Sequence, residues 1–307
     1  MEALERAQAR LDNIHSVLPI LGALRTISLG NWQTAKKQMS VTHNYQARLL
    51  SLISWLLPLA GCQPHQFETG AGCPPHLSQG GVLVVALGSE RGLCGRFNLT
   101  IVKHVEQYLG KQTQNEQPPE LLVVGNRLAH LIQHQHPAWL SGSRSLPIGH
   151  ASRIPTNASS SVRLAFDLTH TWLDRYEAHE LDVVEVIYNS HQEVGRYEPR
   201  RVRLIPPQLP VPDEAAPNKL WPPPIIETNP VTLYARVVEQ WIALKFYGLL
   251  LESAITEHSA RYQLMEAATK NAERLIDELT IVVQTARQQT ITQEMQMLAA
   301  GAGLIGS

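Results

Sequence analysis

VTLYARVVEQWIALKFYGLLLESAITEHSARYQLMEAATKNAERLIDELTIVVQTARQQTITQEMQMLAAGAGL, residues 231–304, reads as one helix of unusual length. Stepping alternately by four and three from Val237 lands on Trp241, Leu244, Gly248, Leu251, Ile255, His258, Tyr262, Met265, Thr269, Ala272, Ile276, Leu279, Val283, Ala286, Thr290, Gln293, Met297, Ala300 and Leu304. Fifteen of these twenty positions are apolar, and a 3.5-residue repeat held that long keeps one seam turned toward a partner helix. At about 1.5 Å per residue the run would extend roughly 110 Å. That is too long for a compact core, so the sequence predicts that most of it projects.

The other end of the chain supplies the partner. The same stepping from Leu4 gives Ala7, Leu11, Ile14, Leu18, Leu21, Arg25, Ser28, Trp32, Ala35, Met39, Thr42, Gln46, Leu49, Ile53 and Leu56, and twelve of the sixteen positions are apolar. The expected fold is α/β: a long antiparallel coiled coil of the N- and C-terminal helices, with a small Rossmann-like α/β domain inserted between them. The expected segments are an N-terminal shaft helix over 1–57, the inserted domain over 78–206, a Pro-rich connector over 207–230 and a C-terminal shaft helix over 231–307.

Proline placement supports this division. Nineteen of the twenty prolines fall between Pro58 and Pro230, and proline removes a helical donor and clashes with the preceding turn. Pro19 is the exception and should kink the first helix. A formal net charge of −1 argues against a chain built to bind nucleic acid, since phosphate neutralisation needs a basic excess. Lys36, Lys37 and Arg48 concentrate positive charge only locally. Three cysteines, Cys62, Cys73 and Cys94, form no even disulfide framework and suit a reducing cytosol. Met1 leads straight into a charged amphipathic helix with no signal-peptide core, and the most apolar run, Leu49 to Ala60, is too short to span a bilayer. Any membrane association is expected through partners, without direct bilayer insertion.

Within the middle segment, residues 81–87 (GVLVVAL) form a valine-rich run of the kind buried on both faces of a sheet. A glycine-rich turn, residues 88–98 (GSERGLCGRFN), opens into a helix reaching about Leu109. Leu121 to Val124 is a second strand, with a short helix near Asn126 to Gln135 after it. Asn157 and Ser159 to Ser161 offer caps for a helix to about Ala178. Leu181 to Asn189 is a third strand and Arg200 to Ile205 a more exposed fourth. Strands alternating with helices imply a mainly parallel sheet.

The glycine turn invites a nucleotide-binding interpretation, because helix N-termini and glycine backbones cradle phosphates. Its Gly88-x3-Gly92-x2-Gly95 spacing matches neither the dinucleotide fingerprint nor a P-loop, so a tight turn without ligand is the better reading. Cys94 reads as a structural thiol. His130 and His134 share a helical face, but the glutamate of a hydrolytic zinc motif is absent. No acid/base dyad, cofactor site or metal site emerges, and no residue is assigned a catalytic role. On the long helix Arg287, Gln288, Thr292 and Glu294 project off the seam and line an exposed polar face.

These stretches resemble the gamma subunit of F-type ATP synthases, the central rotor shaft. Three blocks carry the resemblance: Ser89-Glu90-Arg91-Gly92-Leu93-Cys94-Gly95, similar to the family's turn with Glu90 in place of an aspartate; Ala267-Ala268-Thr269-Lys270-Asn271-Ala272, with Lys270 in place of an aspartate; and ARQQTITQE, residues 286–294, ending in Gly301-Ala302. The resemblance implies a non-catalytic shaft within three alpha and three beta subunits, its α/β domain touching the epsilon subunit and the membrane c ring. It implies a peripheral place on the cytoplasmic face of a bacterial inner membrane. Arg287, Gln288, Thr292 and Glu294 would contact a beta-subunit loop, and Leu24 stands where the family has a methionine facing the acidic beta lever. Glu90, Arg91, Gly92 and Gly95 belong to the domain turn. Pro19 and Gly22 replace lysines and Met297 replaces a glutamate, departures that suggest a divergent bacterial paralogue coupled to protons or sodium. The competing reading is a stand-alone α/β nucleotide-binding enzyme with a coiled-coil dimerisation arm.

Overall fold

The structure, a computed structural model, describes residues 2–60, 80–112, 119–141, 158–207, 209 and 225–301. Cys62, Cys73, Asn157, Ala302, Leu304 and most of the Pro-rich connector lie outside the described residues. The elements in chain order are α1 (Glu2–Leu56), β1 (Gly81–Leu87), α2 (Phe97–Gln112), β2 (Glu120–Val124), α3 (Asn126–Gln135), α4 (Pro137–Ser141), α5 (Ala158–Glu177), β3 (Leu181–Glu193), β4 (Arg196–Ile205) and α6 (Pro230–Gly301). By internal contacts the chain divides into two units: Met1–Gly30 with Arg261–Ser307, and Asn31–Ala260.

In the larger unit the sheet runs β2-β1-β3-β4. β1 lies parallel to both β2 and β3, while β4 returns antiparallel to β3 as an edge strand. The sheet is therefore mainly parallel, as the alternation of strands and helices implies. β4 starts earlier than the sequence reading, at Arg196, because Arg196 to Pro199 pair with the far end of β3.

Alternate residues of β1 enter two separate cores, which is why the strand is apolar throughout. Val84 and Ala86 pack with Ile101, Val105, Leu128 and Ile132 under α2 and α3. Leu83, Val85 and Leu87 join the end of α1, α5 and the first turns of α6, where Trp172 meets Phe246 edge to face at 4.9 Å. Leu49, Ile53 and Leu56 of α1 and Trp241 of α6 are seam positions that also join this core, and Phe246 and Leu250 of α6 join it from off the seam. That double use draws residues 31–56 and 230–260 into one unit with the α/β fold.

The two helices meet along the predicted seam. In the larger unit Trp32, Ala35, Thr42, Leu49, Ile53 and Leu56 are buried on α1, and Val237, Trp241, Leu244, Leu251 and Ile255 on α6. Gln46 Nε2 donates to the Leu244 carbonyl at 2.7 Å. In the smaller unit the α1 seam from Leu4 to Ser28 is buried or half-buried, and so are Met265, Thr269, Ala272, Ile276, Leu279, Val283, Ala286 and Thr290 on α6. The cover ends there. Gln293 and Met297, predicted as seam residues, are exposed, Met297 at 68%. The physical reason is length: a helix of 55 residues cannot cover one of 72.

α1 also continues through Pro19 without interruption. Pro19 is exposed, as is His15, whose carbonyl loses the missing donor. Water can satisfy an exposed carbonyl, so the helix tolerates the loss.

Candidate partner interface

The glycine turn leaves β1 through Gly88, whose amide donates to the Val124 carbonyl at 2.7 Å. Its polar groups point inward. The Ser89 amide donates to Asn98 Oδ1 at 2.9 Å, Asn98 Nδ2 donates to Ser89 Oγ at 2.8 Å, and the buried Cys94 thiol donates to the same oxygen at 3.4 Å. Ser89 is fully buried and Asn98 nearly so. Their hydrogen-bonding capacity is spent on one another, which makes the turn a self-contained brace. Cys94 has a structural part in that brace.

Glu90 is half-buried and reaches across to the next helix. Its carboxylate accepts from Asn126 Nδ2 at 2.5 Å and from the Asn126 amide at 3.3 Å. That amide is the first of α3, so a negative group sits on a helix N-terminus, where the peptide dipoles favour it. Two glycines permit the close approach. A Cβ on Gly88 would lie 2.2 Å from Leu128 Cβ, and one on Gly125 would lie 2.7 Å from the Gly88 carbonyl oxygen. Gly125 also takes φ 115°, and Gly95 and Leu93 both take φ 64°. Gly95 is exposed, Gly92 half-buried, and the outer surface of the turn presents Arg91, Leu93 and Arg96 to solvent.

The remaining predicted site residues lie in the smaller unit. Arg287, Gln288, Thr292 and Glu294 are all exposed, within two turns of one another on α6. Thr292 Oγ1 donates back to the Gln288 carbonyl at 2.8 Å, an ordinary helical bond that leaves both side-chain faces outward. Leu24 is half-buried on α1. It does not share the polar patch: Arg25 acts on Glu266, which precedes Arg287 by about six helical turns. Lys270, the replacement in the second block, bridges to Glu266 at 3.0 Å. The hydrogen bond from Lys270 first, then one from Tyr262 and the Lys270 charge, lower the Glu266 pKa.

Sequence reasoning missed the neighbouring apolar surface. Ile291, Met295 and Leu298 lie one turn apart on a single face and are exposed, Leu298 at 73%. Their spacing of four and three is visible in the sequence, but it runs beside the seam and the polar residues between them draw the reading of that stretch. Among the described residues no group of three or more His, Cys, Asp or Glu is placed to hold a metal ion. Nor is any helix of the described residues long and apolar enough to cross a membrane.

The family model described as ATP synthase matches residues 3–303. The chain belongs to the ATP synthase gamma family. Curated gamma chains agree along their full length. That of Fuscovulum blasticum is 28% identical, with 98% of this chain and 99% of the relative covered. That of Pelotomaculum thermopropionicum is 25% identical, covering 99% and 100%. Among solved structures, the Tetrahymena thermophila mitochondrial ATP synthase central stalk and c ring matches with a TM-score of 0.55 at 18% identity, over 81% of this chain and 99% of that one. The Euglena gracilis mitochondrial ATP synthase rotor matches with a TM-score of 0.55 at 13% identity, over 94% and 98%. At those identities the likeness bears on fold. As a gamma-family member the chain is a central-stalk subunit of an F-type ATP synthase, not catalytic alone.

Proposed function

We propose that this chain is the rotor shaft that turns inside three alpha and three beta subunits, coupling ion flow in the membrane sector to ATP synthesis or hydrolysis at the beta subunits. The carrying observation is the seam itself: α1 and α6 bury one face against each other while side chains on their other faces, polar and apolar, stay exposed along residues 4–30 and 261–300. A paired rod with outward side chains serves a surrounding ring. Its asymmetry lets each rotary position press a different face on each beta subunit and bias that site between open and closed states.

In this reading Arg287, Gln288, Thr292 and Glu294 meet a beta-subunit loop, and Leu24 meets the acidic beta lever with an apolar contact where lysines are absent at Pro19 and Gly22. Glu90, Arg91, Gly92 and Gly95 hold the turn of the domain, spanning 78–206, that meets the epsilon subunit and the c ring. Segments 1–57 and 231–307 form the shaft, 207–230 the connector, and the assembly lies on the cytoplasmic face of a bacterial inner membrane.

Alpha and beta subunits reconstituted with and without this chain test the reading: turnover of ATP should depend on the chain, and equal rates would refute it. Replacing Gln288 and Thr292 with alanine should lower coupled turnover while helical content stays unchanged. Proteoliposomes holding the full complex, assayed with proton- and sodium-sensitive dyes, identify the ion.

A further inference from the structure

β3 outruns the sheet. Its pairing with β1 ends at Ile187, yet it continues paired with β4 as far as Glu193. The overhanging hairpin is not a free flap, because Tyr188, Asn189 and Ser190 are all buried. Successive side chains of a strand point to opposite faces, and here each face is fastened differently. Asn189 Nδ2 donates to the Phe97 carbonyl at 2.9 Å, while Thr100 Oγ1 donates to Asn189 Oδ1 at 3.1 Å, tying the strand to the start of α2. Ser190 Oγ donates to Glu252 Oε1 of α6 at 2.7 Å. Beyond it, the His191 ring meets Trp32 of α1 edge-on at 6.1 Å, and the Gly195 amide at the hairpin turn donates to Ser259 Oγ at 3.0 Å.

The Tyr188 hydroxyl also hydrogen-bonds Glu252, and apolar packing around Trp241, Phe246 and Leu250 joins the sheet to the helices as well. Apolar packing is strong but non-directional, and packed helices can shift past one another in small sliding steps. Hydrogen bonds to a carboxylate are directional and among the stronger kind. The hairpin therefore adds directional bonds to α6, and a ring contact to Trp32 of α1, to the packing that seats the α/β fold on the shaft helices.

We infer that Ser190, Glu252 and Ser259 are positioning residues for energy coupling: they latch the β3–β4 hairpin to the shaft so that load passes between the α/β domain and the coiled coil without slip. The inference rests on the chain's stalk role. It is tested in proteoliposomes carrying the full complex, by measuring ions pumped per ATP hydrolysed for wild type, Ser190→Ala, Glu252→Gln, Ser259→Ala and Ser190→Thr. The wild-type complex must pump, which checks the stalk role by itself. Ser190→Ala is expected to hydrolyse ATP at normal rates with fewer ions pumped per ATP, Glu252→Gln, which keeps an acceptor oxygen but loses the charge, to show a smaller drop, and Ser190→Thr, which keeps the hydroxyl, to recover the ratio. A merely structural role would lower assembly and leave the ratio untouched. A wild-type ratio in assembled Ser190→Ala overturns the latch; should that variant fail to assemble, a wild-type ratio in Ser259→Ala overturns it instead.

Discussion

Gly125 shows how little freedom a single position can have. Its φ of 115° disfavours any side chain, and an added Cβ would lie 2.7 Å from the Gly88 carbonyl oxygen, a backbone atom that cannot swing away. Strain at such an angle costs of order 1–3 kcal/mol before the clash is counted. Gly125→Ala should thus destabilise the α/β fold by about 3 kcal/mol in chemical denaturation, and a loss under about 1 kcal/mol would show that the loop relaxes. His191 makes a second case, in its response to pH. Burial is the main influence lowering its pKa, the Lys36 ammonium adds to it, and Glu252 opposes both. The folded state therefore prefers the neutral ring. Its contribution is present above the ordinary histidine range and is lost as pH falls through the lowered folded pKa. Thermal unfolding of the isolated chain should become easier on acidification across that range, and His191→Gln should flatten the dependence; an identical slope in the variant would assign it to other groups.

At the scale of elements, the pairing of α1 with α6 depends on one small residue. Gly248 is a seam position, and a Cβ there would come within 3.1 Å of Gln46 Nε2, the group that bonds the Leu244 carbonyl. Alanine asks only that a flexible amide yield. Valine crowds the helices apart and should cost about 1–3 kcal/mol, read as a lowered denaturation midpoint, with Gly248→Ala close to wild type. The seam that makes this argument possible was legible in the sequence because helical periodicity is local: each step of three or four residues reports the same face. β1 was legible for a related reason, since a strand buried on both faces has nothing polar in it. The inward wiring of the glycine turn was not. Ser89 bonds Asn98 across nine residues and Glu90 bonds Asn126 across thirty-six, and no local pattern announces such a partner. The Ser190–Glu252 bond is hidden for the same reason. The end of the seam near Thr290 was a different kind of miss. It follows from comparing two helix lengths, sixteen seam positions against twenty, a comparison that the uninterrupted apolar repeat on α6 obscures.

For the molecule as a whole, charge and exposed apolar surface act together. The chain carries a formal net charge of −1 with a pI near 6.9, so at neutral pH little electrostatic repulsion keeps copies apart. Past Thr290, α6 presents Ile291, Met295, Met297 and Leu298 to solvent, all at least 48% exposed. An apolar surface of that kind on a protein without repulsive charge drives association unless a partner covers it. In the complex proposed above, surrounding subunits would supply the cover; none of the described residues of the chain covers those turns. The isolated chain should therefore self-associate in sedimentation velocity, most strongly near pH 7 and less at pH values that move its charge away from zero. Replacing Ile291, Met295, Met297 and Leu298 with glutamine should suppress association while circular dichroism stays unchanged, because none of the four is buried within the chain. Association that persists in this variant would locate the sticky surface elsewhere, and the exposed Ile281 and Val282, which precede Ile291 on the same helix, would be the next to replace.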